Sequence, residues 1–108
     1  MKKFSIWPAG IFVLLGLNVA IVATTVALAA STDSVGSKLV LGRRGDRLRW
    51  CGADLAAHCI NDVLTTGAEP LFFLDYVAAS TIDVEQVAEL IEGAADVCRV
   101  AGCAILGG

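Results

Sequence analysis

The apolar and polar positions divide the chain into two unlike parts. From Phe4 to Ala30 no side chain is charged, whereas every acidic residue lies at or beyond Asp33. About twenty apolar residues cross a bilayer core, so this run of 27 residues behind Lys2 and Lys3 predicts one apolar helix acting as a transmembrane anchor, although Pro8 and Asn18 interrupt it. A cleaved signal is the alternative, because Ala27-Leu28-Ala29 has the small residues of a cleavage site. The run is nevertheless longer than the apolar core of about 7–15 residues found in signals. Residues 1–30 are therefore read as an anchor or signal segment, and residues 31–108 as a separate part.

Beyond Ser31 the pattern predicts strand, helix, strand, helix, strand. Lys38–Leu41 is a short strand candidate. Ala53–Thr65 carries Ala53, Ala56, Ala57, Ile60, Val63 and Leu64 at helical spacing, and Gly67 is a reasonable stop. Leu71–Ala78, after Pro70, is a near-continuous apolar run suited to a buried strand. Asp83 followed three positions later by Gln86 predicts a capped second helix, buried along Val84, Val87, Ala88, Ile91, Ala95 and Cys98 and ending at Gly102. Cys103–Leu106 begins another strand. The implied class is α+β, cut off in mid-fold.

Composition sharpens this picture. Apolar residues are 56% of the chain, above the usual 45–50% or so, and the excess lies in the first thirty positions. A net charge of −3 argues against nucleic acid as a partner. The basic residues between Lys38 and Arg49 are interrupted by Asp46 and have no aromatic ladder beside them, so they read as a solvated loop. Their position just after the apolar run favours a cytoplasmic C-terminal side, against the opposite bias of Lys2 and Lys3. The expectation is an inner-membrane anchor with residues 31–108 cytoplasmic. The four cysteines form no C-x-x-C pair and only His58 offers an imidazole, so they read as reduced core thiols rather than a metal or disulfide framework.

Three features carry candidate chemistry. The small-residue turn Asp33-Ser34-Val35-Gly36-Ser37-Lys38 combines a carboxylate, hydroxyls and an ammonium, a set able to cradle phosphate and approach a metal ion. By itself it is also an ordinary Asp/Ser/Gly turn. On the first long helix Asp54, His58, Asn61 and Asp62 fall in one polar stripe, which suits hydrated Mg²⁺ beside phosphates or simply a solvated face. His58 alone reads as a surface residue rather than a general base. Asp75, inside Leu71-Phe72-Phe73-Leu74-Asp75-Tyr76, needs a cation or a strand end, because an unpaired buried carboxylate is costly.

Several of these stretches also carry a resemblance. Ser31-Thr32-Asp33-Ser34-Val35-Gly36-Ser37-Lys38-Leu39 resembles the Gly-Thr-Asp-Gly-Val-Gly-Thr-Lys-Leu signature of the phosphoribosylformylglycinamidine cyclo-ligase family. Gly52-Ala53-Asp54-Leu55, Cys59-Ile60-Asn61-Asp62 and Gly67-Ala68-Glu69-Pro70-Leu71-Phe72-Phe73-Leu74-Asp75-Tyr76 follow without a gap, and Gly102–Gly108 is similar to the strand that leads into the next family motif. Ser31 and Ser34 replace glycines, and Ser37 replaces threonine while keeping the hydroxyl. Serine at position 34 would strain the turn if positive φ were needed there. The stretches around Ile6-Trp7-Pro8 and Leu17–Ala20 resemble, at low specificity, a FixH-type anchor.

The cyclo-ligase resemblance implies a truncated β-α-β-α-β piece of an ATP-binding N-terminal domain that pairs into homodimers through its sheet. It implies ATP and Mg²⁺ as cofactors and formylglycinamidine ribonucleotide as substrate. Asp33, Gly36, Ser37, Lys38 and Asn61 are then the ATP and phosphate contacts, and Asp54, Asp62 and Asp75 the candidate metal ligands. With the family's remainder missing after Gly108, the chain alone is expected to be inactive. The alternatives are a membrane-anchored, non-catalytic nucleotide-binding or dimerisation module, and a non-functional fusion.

Overall fold

The computed structural model describes residues 27–108. Helices α1 (Lys38–Arg44) and α2 (Leu48–Thr65) are followed by strand β1 (Phe72–Phe73), helix α3 (Val84–Ala101) and strand β2 (Ala104–Ile105). The strands pair in parallel, Phe72 opposite Ala104 and Phe73 opposite Ile105, with α3 as the crossover that parallel pairing requires. The α+β class therefore holds. The predicted anchor, apart from its last residues, and the membrane placement inferred from it lie outside the described residues. Among the described residues no helix is long and apolar enough to cross a membrane.

The first predicted strand is a helix instead. Lys38–Leu41 opens α1, begun by Leu39 N donating to Gly36 O at 3.2 Å and Val40 N to Ser37 O at 3.1 Å. Four residues with one β-branched side chain do not distinguish strand from helix, and tertiary contact decides the matter. Gly42 lies so close to α2 that a Cβ there would stand 2.3 Å from Cys51 Sγ. The turn between the helices is completed by Asp46, at φ 52°, a left-handed conformation that Asp tolerates better than most residues.

Helix α2 starts at Leu48 rather than Ala53, and its buried face is Leu48, Cys51, Gly52, Ala56, Cys59 and Ile60. Helix α3 follows its predicted ends closely. Asp83 Oδ1 accepts from Glu85 N at 3.1 Å and Gln86 N at 3.2 Å, a cap worth about 1 kcal/mol. At the other end Gly102 adopts φ 70°, while Gly102 N donates to Arg99 O and Cys103 N to Cys98 O, which is a Schellman closure. Of the predicted stripe Cys98 is buried and Val87, Ile91 and Ala95 are half-buried, but the face is turned in part toward Gly93 and Ala94. These two are buried, while Val84 and Ala88 are exposed.

Two glycines cause this rotation. A Cβ on Gly52 would stand 1.9 Å from Leu90 O, and one on Gly93 would stand 1.9 Å from Arg49 O, so backbone meets backbone where α2 crosses α3. Arg49 ties the same crossing from outside, donating to Glu92 at 2.8 Å and to Asp96. Its hydrogen bond holds the Asp96 pKa below the usual carboxylate value, helped by Arg99. The core continues through Ala56, Ile60, Ala94, Cys98 and Cys103, with Phe73, Val97, Ala101 and Ile105 packed against it. On the opposite sheet face Phe72 is exposed, as are Leu74, Tyr76 and Leu106 beyond the strand ends. Leu71–Ala78 thus contributes a two-residue ladder with one covered side, not a strand buried on both faces.

All four cysteines are free and buried, as core thiols should be. Loss of solvation, followed by the neighbouring Cys103, pushes the Cys98 thiol from 9.0 up to about 11. An unfolded chain releases this proton near pH 9 while the folded chain keeps it. The stabilising contribution is complete below pH 9 and lost as pH rises through about 11. Cys98→Ala should flatten the fall in stability across that window, as read by denaturant melts at its two ends. An unchanged alkaline slope would contradict the assignment.

Candidate functional site

Three side-chain pairings dock the 31–38 loop on the polar face of α2. Lys38 Nζ pairs with Asp54, His58 Nε2 meets Asp33 Oδ2 at 2.8 Å, and Ser31 Oγ donates to Asp62 Oδ2 at 3.0 Å. Asp54, His58 and Asp62 are presented together because they follow one another at i, i+4, i+8 on a helix whose opposite face is buried. Two features that were far apart in the sequence, the small-residue turn and the polar stripe, thus become one surface.

Within the loop, Ser34 N donates to Asp33 Oδ1 at 2.7 Å, a local contact that helps to orient the carboxylate. Gly36 has φ 64° and nothing within 4 Å of where a Cβ would stand, so the backbone there is both left-handed and open to an approaching group. Ser34 lies outside the left-handed region, and the strain expected from serine in place of glycine does not arise. Ser37 occupies the N-cap position of α1 without making a side-chain cap bond. The Asp54 carboxylate, as hydrogen-bond partner and then as opposite charge, holds the Lys38 pKa above its usual value. Both groups are more than half exposed, so the pair orients the ammonium rather than stabilising the fold.

Asn61 is exposed on α2 beside Asp62. Asp75 lies just beyond β1, half-buried, and among the described residues it makes no ion pair or side-chain hydrogen bond with the loop or with α2. The structure brings Asp33, Lys38, Asp54 and Asp62 together and leaves Asp75 apart from that network. Among the described residues no three acidic, histidine or cysteine groups converge on a single metal-sized point. Beside Lys38 an open depression of about 330 Å³ is lined by Lys38, Arg47, Trp50, Cys51 and Asp54. Arg47 and Trp50 were not anticipated as lining residues. Nor was the partnership of His58 with Asp33, since the two are too distant in the chain for spacing to reveal it.

The comparisons with known proteins agree with these motifs. The family model described as AIR synthase related protein, N-terminal domain, matches residues 16–108. The phosphoribosylformylglycinamidine cyclo-ligase of Prochlorococcus marinus is 51% identical over 81 residues, covering 75% of this chain and 24% of that protein. The enzymes of that name from Anaeromyxobacter dehalogenans and a Picosynechococcus species are 51% and 48% identical over the same length and coverage. The chain therefore spans about a quarter of the curated relatives it matches. No support emerges for the FixH-type resemblance, and the family match reaches back to residue 16, into that segment. The chain belongs to the AIR synthase related protein family, and its sequence is that of the family's N-terminal domain.

Proposed function

We propose that residues 31–108 form the phosphate-binding portion of an ATP-dependent phosphoribosylformylglycinamidine cyclo-ligase, an enzyme that closes the imidazole ring in purine synthesis. The observation that carries this reading is the docking of the Asp33–Lys38 loop on the Asp54/Asp62 face of α2. The donor set suits the ligands. Mg²⁺ takes oxygen ligands, keeps several waters and is commonly held by one or two carboxylates with phosphate. Asp54 and Asp62 stand two turns, about 12 Å, apart along α2, so each would serve its own cation on the phosphates rather than share one. Asp75 enters this proposal as a further contact reached through the bound nucleotide.

Each group has a distinct part. Gly36 lets the loop backbone come close to phosphate oxygens, and the Ser37 hydroxyl donates to them. Lys38 offsets phosphate charge, moving from Asp54 to the ligand as the cation takes the carboxylate. Asn61 supplies an amide at the rim. ATP would transfer its γ-phosphoryl group to the formyl amide oxygen of formylglycinamidine ribonucleotide, releasing ADP. A substrate nitrogen would then attack that carbon, and the C–O bond would break with loss of inorganic phosphate and a proton as the C–N bond forms. Residues outside this quarter-length segment would complete the substrate site.

Calorimetric titration of the chain with ATP and Mg²⁺ tests the reading. Asp54→Asn and Asp62→Asn should each weaken binding at least about tenfold, because a neutral amide is a much poorer ligand for a hard cation. Equal affinities in the wild type and both variants would reduce these carboxylates to surface residues.

The reading also includes a homodimer that covers the exposed sheet face. Leu74 is 62% and Tyr76 89% exposed, apolar surface of the kind that marks an interface. Sedimentation should show a dimer that Leu74→Glu converts to monomer. A monomeric wild type would remove the dimer from the proposal.

A further inference from the structure

Both oxygens of Asp33 are already engaged: Oδ1 accepts from Ser34 N at 2.7 Å, and Oδ2 faces His58 Nε2 at 2.8 Å. The same Nε2 lies 3.9 Å from Asp62 Oδ2, which in turn accepts from Ser31 Oγ at 3.0 Å. Without a donor between them, two carboxylates facing each other across the loop and α2 would repel and lift the loop away. A proton on Nε2 turns that repulsion into a hydrogen bond. Between Asp33 and Lys38 only Val35 is partly buried, because Ser34, Gly36 and Ser37 are exposed.

From this geometry we infer that His58 is a positioning residue, holding the Asp33 carboxylate and with it the 33–37 backbone in the form that receives phosphate. The inference rests on the nucleotide reading above for its functional consequence. His58 works from a rigid helix, so its imidazole is placed by α2 rather than by the loop it restrains. Lys38 and Asp54 anchor the far end of the segment, and Ser31 with Asp62 the near end. His58 ties the Asp33 carboxylate, while the Cys59 thiol reaches only the Asp33 backbone. It touches neither the phosphates nor the cation in this account.

The test uses His58→Ala and His58→Gln in the full chain. Glutamine reproduces an N–H donor near the Nε2 position, whereas alanine removes it. Two readouts are taken: backbone order parameters of Ser34–Ser37 by ¹⁵N relaxation without nucleotide, and affinity for ATP with Mg²⁺ by calorimetry. His58→Ala should lower the order parameters, weaken binding about three- to tenfold and leave the helical melt in place. His58→Gln should restore both order and affinity. Unchanged order in His58→Ala, or a Gln variant that behaves like Ala, would overturn the inference. If the wild type binds no nucleotide, the nucleotide reading fails. The order parameters still decide the role of His58: lowered by Ala and restored by Gln they support it, and unchanged they overturn it.

Discussion

Gly52→Ala should destabilise the fold by about 3 kcal/mol, although alanine in a helix interior ordinarily stabilises by about 1 kcal/mol relative to glycine. The sign reverses because the new methyl would stand 1.9 Å from Leu90 O and 2.7 Å from Leu90 C, atoms of the α3 backbone that cannot rotate aside. Relief would require moving the helices apart, which opens the contacts around Ala56, Ala94 and Cys98. Gly93→Ala should behave alike, since its methyl would meet Arg49 O at the same 1.9 Å. Glu89→Ala, on the exposed side of α3, should change stability by less than about 0.5 kcal/mol and serves as the control. Denaturant melts followed by helical circular dichroism measure all three. A Gly52→Ala variant as stable as the wild type would mean that the two backbones are not in contact.

The second large effect is on catalysis. The chain alone should form no aminoimidazole ribonucleotide above background when given ATP, Mg²⁺ and formylglycinamidine ribonucleotide. It spans about a quarter of its curated relatives, and on the proposed reading the other three quarters of such an enzyme would hold substrate against the nucleotide. Holding reactants in register accounts for roughly 7–11 kcal/mol of a barrier in favourable cases, and a phosphate-binding loop supplies only its own share. The expected rate is therefore several orders of magnitude below that of a full-length relative assayed in parallel. Steady-state product formation by the purified chain at a comparable rate would overturn this expectation.

What the sequence disclosed follows the range of the interactions involved. Helix α3 was legible at both ends because its signals are local: Asp83 caps amides two and three positions away, and Gly102 is the left-handed residue at its close. Apolarity locates Cys98, Val87, Ile91 and Ala95 on the covered side of α3 but not Gly93 and Ala94, and it wrongly includes Val84 and Ala88. The crossing is set by Gly93 and Gly52, which add almost no hydrophobicity but permit the closest approach. Lys38–Leu41 was misread for a similar reason, since its helical state depends on Gly42 meeting Cys51 across a turn. In the candidate site, the turn and the α2 stripe were each visible as patterns of residue type. Their joining was not, because Asp33–His58 and Ser31–Asp62 are long-range pairs without a periodic signature. Asp75 stood out for the improbability of its neighbours, and the structure gives it a half-buried place outside the network.

The central claim is that this surface holds the phosphates of a magnesium-bound nucleotide, and the most direct measurement is the calorimetric titration of the wild-type chain with ATP. With Mg²⁺ present the account predicts saturable binding at one site per chain, lost when the cation is chelated. Heats no larger than dilution in the presence of Mg²⁺, or binding of equal strength after chelation, would contradict it.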